Sequence, residues 1–151
     1  MDKVSLLSRL RKKFPAAILE ARDFCGGAGL SVWVEPRMFL DVSRWLAKES
    51  APIFDWVENV TVADIDGSLV LSYFLRSQRK PEFLVLRVSE PLPGPTERVV
   101  FESARKLWPS ASPGEDEGAE LFGLQFKGYD LVSQFLPPGF VGFPLRKAFE
   151  A

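Results

Sequence analysis

The last fifth of the chain is unable to form a long helix, and this constrains the fold more than any other feature. Between Gly123 and Phe149 the sequence contains four glycines and three prolines. Proline removes a backbone donor and glycine costs conformational entropy, so a long helix is excluded here. The same segment contains five phenylalanines. A segment this apolar is expected to lie against a surface, either of its own domain or of a partner protein.

A short helix is predicted immediately before this segment. Ser112 is expected to be its N-cap, Pro113 its first helical residue, and Glu115 the second half of a capping box. The negative charges of residues 115–117 then lie at the helix N-terminus, where the helix dipole favours them. Gly123 is expected to end the helix in a left-handed conformation.

The rest of the chain predicts alternating helices and strands. Helices are expected over residues 4–14, through the apolar positions Val4, Leu7, Leu10 and Phe14, and over residues 36–49. Strands are expected over residues 17–24, 30–35, 60–63, 69–75 and 83–88.

Turn residues then predict how three of these strands pair. Asp66-Gly67 is a strong hairpin signal, so the last three strands are expected to form an antiparallel meander. The second half of residues 97–107 is expected to be helical. These elements predict an α+β fold, a two-layer domain with an antiparallel meander sheet packed by helices, plus an extended C-terminal arm. We place the domain at residues 1–126 and the arm, which either packs on this domain or docks to a partner, at residues 127–151.

Composition excludes several classes of catalytic and metal-binding protein. The sequence has no histidine, which excludes histidine-based catalytic triads and most zinc sites. Cys25 is its one cysteine, so the chain alone lacks the thiolates that an iron–sulfur cluster needs. A net charge of −1 gives no electrostatic reason to expect nucleic acid as a partner. We therefore expect this chain to bind no metal, flavin or iron–sulfur cluster as a cofactor.

Several short motifs follow one another in the last half of the chain. They are Lys106-x-Trp108-Pro109, Glu115-x-Glu117, Glu120-Leu121-Phe122-Gly123, Phe126-x-Gly128, Leu136-Pro137 and Gly142-x-Pro144-Leu145-Arg146-Lys147. In order and spacing this series resembles the C subunit of NADH-quinone oxidoreductase, which is the thirty-kilodalton subunit of respiratory complex I. The sequence departs from the family pattern at Asp116, where arginine is usual, at Tyr129 and Phe143, where histidine is usual, and at Ala148, where aspartate is usual.

The resemblance implies a subunit of the proton-translocating enzyme that has no active site of its own. Such a subunit supports electron transfer from NADH to quinone by docking to the quinone-module subunit, of the forty-nine-kilodalton type, and to neighbouring iron–sulfur subunits. NADH, FMN, iron–sulfur clusters and quinone would belong to the assembled complex, peripheral on the cytoplasmic face of the bacterial inner membrane. The residues that the resemblance assigns to the partner interface are Glu115, Glu117, Glu120, Phe122, Gly123, Phe140, Phe143, Pro144, Leu145, Arg146 and Lys147.

Three alternatives remain open on the sequence. The tail could simply be a C-terminal arm packed on its own domain. The chain could be the equivalent small subunit of a membrane-bound [NiFe]-hydrogenase or formate hydrogenlyase complex, which shares the C-terminal motifs. It could also be a stand-alone enzyme using Glu115, Asp116, Glu117 and Glu120 as acid–base groups, although carboxylates at a helix N-terminus ordinarily only complement the dipole.

The lack of histidine and the single thiol lead to a prediction about the purified chain. Purified alone, it should bind no metal, flavin or iron–sulfur cluster and should oxidise no NADH. Elemental analysis, a visible absorption spectrum and an NADH oxidation assay check this. Stoichiometric iron or zinc after purification would contradict it.

Overall fold

The computed structural model describes residues 2–150. Its α-helices are α1 (Lys3–Lys13), α2 (Phe39–Lys48) and α3 (Ser112–Phe122). Its strands are β1 (Ile18–Phe24), β2 (Gly29–Val34), β3 (Trp56–Ile65), β4 (Ser68–Arg76), β5 (Phe83–Pro91), β6 (Val99–Phe101) and β7 (Leu124–Phe126). Short 3-10 turns at Pro36–Met38 and Pro109–Ala111 lead into α2 and α3. Among residues 2–150, none of the helices has the length and apolar character needed to cross a bilayer.

The predicted meander is confirmed. Strands β3, β4 and β5 are neighbours, and both pairs are antiparallel. The turn between β3 and β4 places Asp66 at φ +49° and Gly67 at φ +78°. Two successive positive φ values are what a two-residue hairpin needs, which explains why Asp-Gly occurs here.

Pairing between distant segments was not predicted. The full sheet has the order β1-β2-β5-β4-β3, in which β2 lies parallel to β5. A second, two-stranded sheet joins β6 in parallel to β7. The expectation of a helix in the second half of residues 97–107 is wrong, because this segment contributes β6 and then a turn that leads to the buried Trp108. The indole of Trp108 donates to the carbonyl of Phe54 at 2.8 Å, which fixes the turn against the start of β3.

The hydrophobic core lies on one face of the five-stranded sheet, as the two-layer α+β prediction requires. Buried residues of all three helices belong to the same cluster as the inward-facing residues of the sheet. Helix α1 differs in detail from its predicted stripe, because Leu6 and Leu10 are its buried residues whereas Val4 is 80% exposed.

Helix α3 lies very close to the edge strand β3. A Cβ at Gly114 would stand 2.6 Å from the Cβ of Val60, and one at Gly118 would stand 2.9 Å from a methyl group of Val62. Both distances are too short for a real contact, so the two glycines are what permits this packing. The helix therefore turns one fixed side toward the sheet and positions the segment that follows it.

The predicted N-cap of α3 is wrong. Ser112 has φ −59° and ψ −42°, which are helical values, and no side chain caps this end. The preceding 3-10 turn runs directly into the helix, so Ser112 never adopts the extended conformation that an N-cap needs. The predicted end of α3 is confirmed, because Gly123 has φ +78° and ψ +36°.

The starts of α3 and α1 give a matched pair of predictions about stability. Ser112→Ala should change the free energy of unfolding by less than about 0.5 kcal/mol, because its hydroxyl caps nothing. Asp2→Ala should cost about 0.5–2 kcal/mol, because its carboxylate accepts from the amide of Ser5 at 3.1 Å at the start of α1. Urea denaturation of both variants provides the measurement. A larger loss for Ser112→Ala than for Asp2→Ala would contradict the assignment.

Candidate functional site: the C-terminal arm

A buried carboxylate connects α3 to the sheet. The side chain of Glu115 is fully buried and accepts four hydrogen bonds. The donors are Tyr73 Oη at 2.7 Å, Ser103 Oγ at 2.6 Å, the Ala104 amide at 2.8 Å and Arg105 Nε at 3.0 Å. Burial, and then the nearby charge of Glu115, raise the pKa of Tyr73, so its phenol stays neutral and donates. Glu115 is therefore not part of a capping box, because its carboxylate points into the protein.

Arg105 extends this cluster to the beginning of the arm. Its Nη2 donates to Asp116 at 2.9 Å, and its guanidinium lies 4.2 Å from the ring centroid of Tyr129. Burial alone would lower the pKa of Arg105, but its hydrogen bonds to Asp116 and Glu115 raise it. The guanidinium is thus held charged between the helix and the start of the arm, of which the structure describes residues 127–150.

A second carboxylate holds the middle of the arm. Glu120 is buried and accepts from the hydroxyl of Ser133 at 3.0 Å and from the amides of Gln134, Phe135 and Leu136 at 2.9, 3.0 and 2.7 Å. Burial would raise the pKa of Glu120, but these three amides and the hydroxyl together lower it to about 2. An irregular segment has no ladder to satisfy its N–H groups, and here one charged side chain takes that role.

A buried arginine holds the end of the arm. Arg146 is 4% exposed, and all of its donors bind backbone carbonyls. The acceptors are Phe122 at 2.6 Å, Gly94 at 3.1 Å, Pro95 at 3.2 Å, Glu97 at 2.6 Å and Gly123 at 3.4 Å. Burial lowers the pKa of Arg146, yet five carbonyl dipoles surround the cation. The guanidinium therefore joins the arm to the C-terminus of α3 and to the loop after β5.

Phe143 completes this attachment. The guanidiniums of Arg146 and Arg98 lie 4.4 and 4.9 Å from its ring centroid. A Cβ at Gly123 would stand 2.6 Å from carbons of the same ring, so the left-handed glycine is needed for its conformation and also for the close approach of the ring. Beyond this point the amide of Lys147 donates to Asp64 at 2.9 Å, near the end of β3.

Although its backbone is fixed in this way, the arm presents apolar side chains to solvent. Phe135 is 53% exposed, Leu145 50% and Val141 87%. The rings of Phe140 and Phe149 stack with their centroids 5.9 Å apart, which braces Phe140 at the surface. Phe140 and Val141 border a groove of ≈ 340 Å³, and Leu145 borders another of ≈ 320 Å³ between α3 and β3.

The residues expected at the partner interface fall into three groups. Exposed members are Glu117, Phe140, Leu145 and Lys147; half-buried members are Phe122, Phe143 and Pro144; buried members are Glu115, Glu120, Gly123 and Arg146. The buried charged members use their polar atoms inside the chain.

Sequence reasoning did not single out Leu131, Val132 and Val141, which are also exposed. The sequence shows these three positions only as apolar residues in a segment without periodicity, and this pattern does not predict which side chains are exposed. As for metals, no group of three or more His, Cys, Asp or Glu side chains in the described part of the chain is placed to hold an ion.

Comparison with known proteins identifies the family. The model of the respiratory-chain NADH dehydrogenase 30 kDa subunit matches residues 32–151. The NADH-quinone oxidoreductase C subunit of Roseiflexus sp. (strain RS-1) is 32% identical, over 97% of this chain and 83% of the relative. The corresponding C subunit of Moorella thermoacetica is 34% identical, over 97% of this chain and 94% of the relative. The chain belongs to the family of the respiratory-chain NADH dehydrogenase 30 kDa subunit.

The fold recurs in an archaeal respiratory membrane complex. A chain in the structure of the membrane-bound sulfane sulfur reductase matches with a TM-score of 0.80 and 18% identity, covering 99% of this chain and 86% of that chain. At this identity the match shows a shared fold. The shared fold extends over nearly the whole of this chain.

The low pKa of Glu120 predicts how pH affects the arm. Because its pKa is lowered from 4.5 to about 2 on folding, its contribution is complete above 4.5 and is lost as pH falls toward 2. Amide protection factors of Gln134, Phe135 and Leu136, measured by hydrogen exchange, should fall over this pH window. Glu120→Gln should remove the protection already at neutral pH. Glu117→Gln, at an exposed position of the same helix, is the control and should leave it unchanged.

Proposed function

We propose that this chain is a non-catalytic peripheral-arm subunit of a proton-translocating NADH-quinone oxidoreductase, which it supports by docking to the quinone-module subunit. One observation carries the proposal: the arm is fixed to its domain by charged residues while its apolar side chains remain exposed. A segment packed only on its own domain would turn those side chains inward. A segment prepared for a partner leaves them available.

The fixed backbone also favours binding energetically. Burying an exposed phenylalanine such as Phe135 against a partner supplies about 1.5–3 kcal/mol, before the cost of ordering the segment that carries it. That cost is reduced here because Glu120 and Arg146 already hold residues 133–136 and 146 in place. A pre-organised arm thus retains more of the energy of its apolar contacts.

The proposed interface consists of the exposed and half-buried members of the expected set together with Leu131, Val132, Phe135 and Val141. We keep the boundary predicted from the sequence, with the domain at residues 1–126 and the docking arm at residues 127–151. The core cluster of the described chain supports this boundary, because Phe126 is its last buried member and only the partly buried Tyr129 lies beyond it. In this proposal Glu115, Glu120 and Arg146 position the interface instead of contacting the partner.

Membership of the family suggests the remaining parts of the proposal. The partners would be the quinone-module subunit and neighbouring iron–sulfur subunits, and NADH, FMN, iron–sulfur clusters and quinone would be bound in the assembled complex. The chain would reach the membrane only through that complex, on the cytoplasmic face. The fold shared with a chain of the sulfane sulfur reductase complex favours a second candidate, a role as the corresponding subunit of a related membrane-bound respiratory complex. Identifying the subunits that co-purify with the tagged chain, and assaying NADH–quinone activity, separates the two.

A matched pair of surface variants tests docking through the arm. Val141→Asp, at a position 87% exposed, should leave the melting temperature unchanged and reduce recovery of the chain in the complex by about tenfold, because it places a charge in an apolar contact. Val4→Asp, at a position 80% exposed on α1, is the control and should assemble normally. The measurement is quantitative mass spectrometry of the purified complex.

Deletion of residues 131–151 extends the test. The product keeps every member of the core cluster and should melt cooperatively, yet should no longer join the complex. If the deletion unfolds the domain, the arm is part of the core. If the deleted protein still assembles, the docking proposal is wrong.

A further inference from the structure

The five-stranded sheet has a second face, here called the open face, which points away from the helices. Along each strand its residues alternate with those of the core, as Ser31 and Trp33 alternate with Val32 on β2. Four aromatic residues of this face, Phe24, Trp33, Phe74 and Phe83, lie outside the core cluster. Since the buried residues of all three helices belong to that cluster, no helix within residues 2–150 packs on the open face.

Three of these aromatic side chains form a continuous patch. The ring of Phe24 makes edge contacts with Phe74 at 5.9 Å and with Phe83 at 5.8 Å. Phe83 also lies over Gly29, where a Cβ would stand 2.6 Å from its ring. All four aromatics are half-buried, so each still presents part of its surface to solvent. Such a patch on a sheet face is unusual for a surface that meets only water.

Arg87 lies beside Phe24 and Trp33 on this face, without an ionic partner. Its Nε and Nη1 donate to the hydroxyls of Ser31 and Ser72, both at 2.9 Å, and its guanidinium lies 5.9 and 5.8 Å from the rings of Phe24 and Trp33. Its Nη2 makes no hydrogen bond within the described chain, and no carboxylate among residues 2–150 forms an ion pair with it. Burial lowers the pKa of Arg87, and no neighbouring acid opposes this effect.

Other arginines of the sheet are paired. On the open face Arg22 pairs with Glu20 of its own strand, and on β4 Arg76 donates to Glu58 of β3 at 2.6 Å. Arg87 is thus distinguished by a free, partly desolvated guanidinium edge within an aromatic surround. Arginine and tryptophan in such a setting are the residue types that most often dominate binding at protein interfaces.

We propose that the open face is a second docking surface, separate from the arm, and that its partner is a neighbouring subunit presenting an Asp or Glu carboxylate to Arg87. The carboxylate accepts from Nη2, and the apolar residues that flank it on the partner cover the aromatic patch. Such a charge-assisted pair is stronger than a neutral one and fixes the orientation of the partner. This inference rests on the proposed function, because it requires the chain to be part of a multisubunit complex.

Hydroxyl-radical footprinting of the wild-type chain, alone and in the purified complex, tests the surface directly. Assembly should reduce the oxidation of Trp33, Phe74 and Phe83 by about fivefold or more if a partner covers them. Phe135 of the arm reports on the other surface in the same experiment. If Phe135 is protected and the three open-face residues are not, the second surface does not exist and the proposed function stands. If the chain joins no complex, both proposals fail.

A charge variant tests the role of Arg87. Arg87→Gln should reduce incorporation into the complex by about tenfold, as expected for the loss of a desolvated ion pair. Arg44→Gln, which removes the same charge from α2 beside its own partner Asp41 and away from the open face, is the control and should assemble normally. Melting temperatures and circular dichroism confirm that both variants fold, and footprinting of the wild type decides the matter if Arg87→Gln does not fold. Normal assembly of folded Arg87→Gln would overturn the proposed carboxylate partner.

Light scattering of the isolated full chain distinguishes a second copy from a different subunit. We expect a monomer. A dimer that Arg87→Gln dissociates would overturn the proposal, because the open face would then bind another copy of this chain. Photo-crosslinking in the complex from a benzoyl-phenylalanine at Phe74 should reach a segment of a neighbouring protein that contains Asp or Glu. Crosslinks to a segment without either residue would overturn it as well.

Discussion

The buried carboxylate of Glu115 is the constraint on which the position of the arm depends. A charge removed from water has to be compensated by hydrogen bonds and opposite charge, and the donors to Glu115 come from the sheet and from the loop after β6. Helix α3 can therefore neither slide nor rotate without leaving this charge unpaired. Gly114 and Gly118 allow the helix to lie close enough to β3 for these bonds to form. The segment that follows α3 therefore starts at a fixed position relative to the sheet.

In the arm, charged side chains make the hydrogen bonds to the backbone that a regular helix or sheet makes elsewhere. Residues 127–150 contain no strand or helix to satisfy the backbone, so Glu120 accepts hydrogen bonds from the N–H groups of residues 134–136 and Arg146 donates to carbonyls of the domain. Because polar contacts provide the order, the apolar side chains of the arm need not be buried in the chain itself. A stable backbone and an exposed apolar surface are thus compatible here, and such a surface loses little conformational entropy on binding.

Local chemistry made part of this structure predictable. Asp66-Gly67 identified the hairpin, Gly123 identified the end of α3, and alternation identified the meander strands. The errors arose where the structure is determined by contacts between residues that are distant in the sequence. A glutamate three residues after a serine has the same local pattern in a capping box and in a buried cluster, and only Tyr73 and Arg105 distinguish the two. The parallel pairings of β2 with β5 and of β6 with β7 join segments whose sequences carry no mark of each other.

The acceptors of Arg146 have a consequence for how sequences of this family can diverge. Every hydrogen-bond acceptor of the guanidinium is a main-chain carbonyl, and any amino acid supplies one. Substitutions at positions such as 94, 95 and 97 therefore need no compensating change at 146, provided that the loop keeps its path. The arginine itself has no such freedom, because lysine has neither its planar fork nor its number of donors. Selection would thus conserve the arginine at 146, whereas the residues at positions 94, 95 and 97 could change.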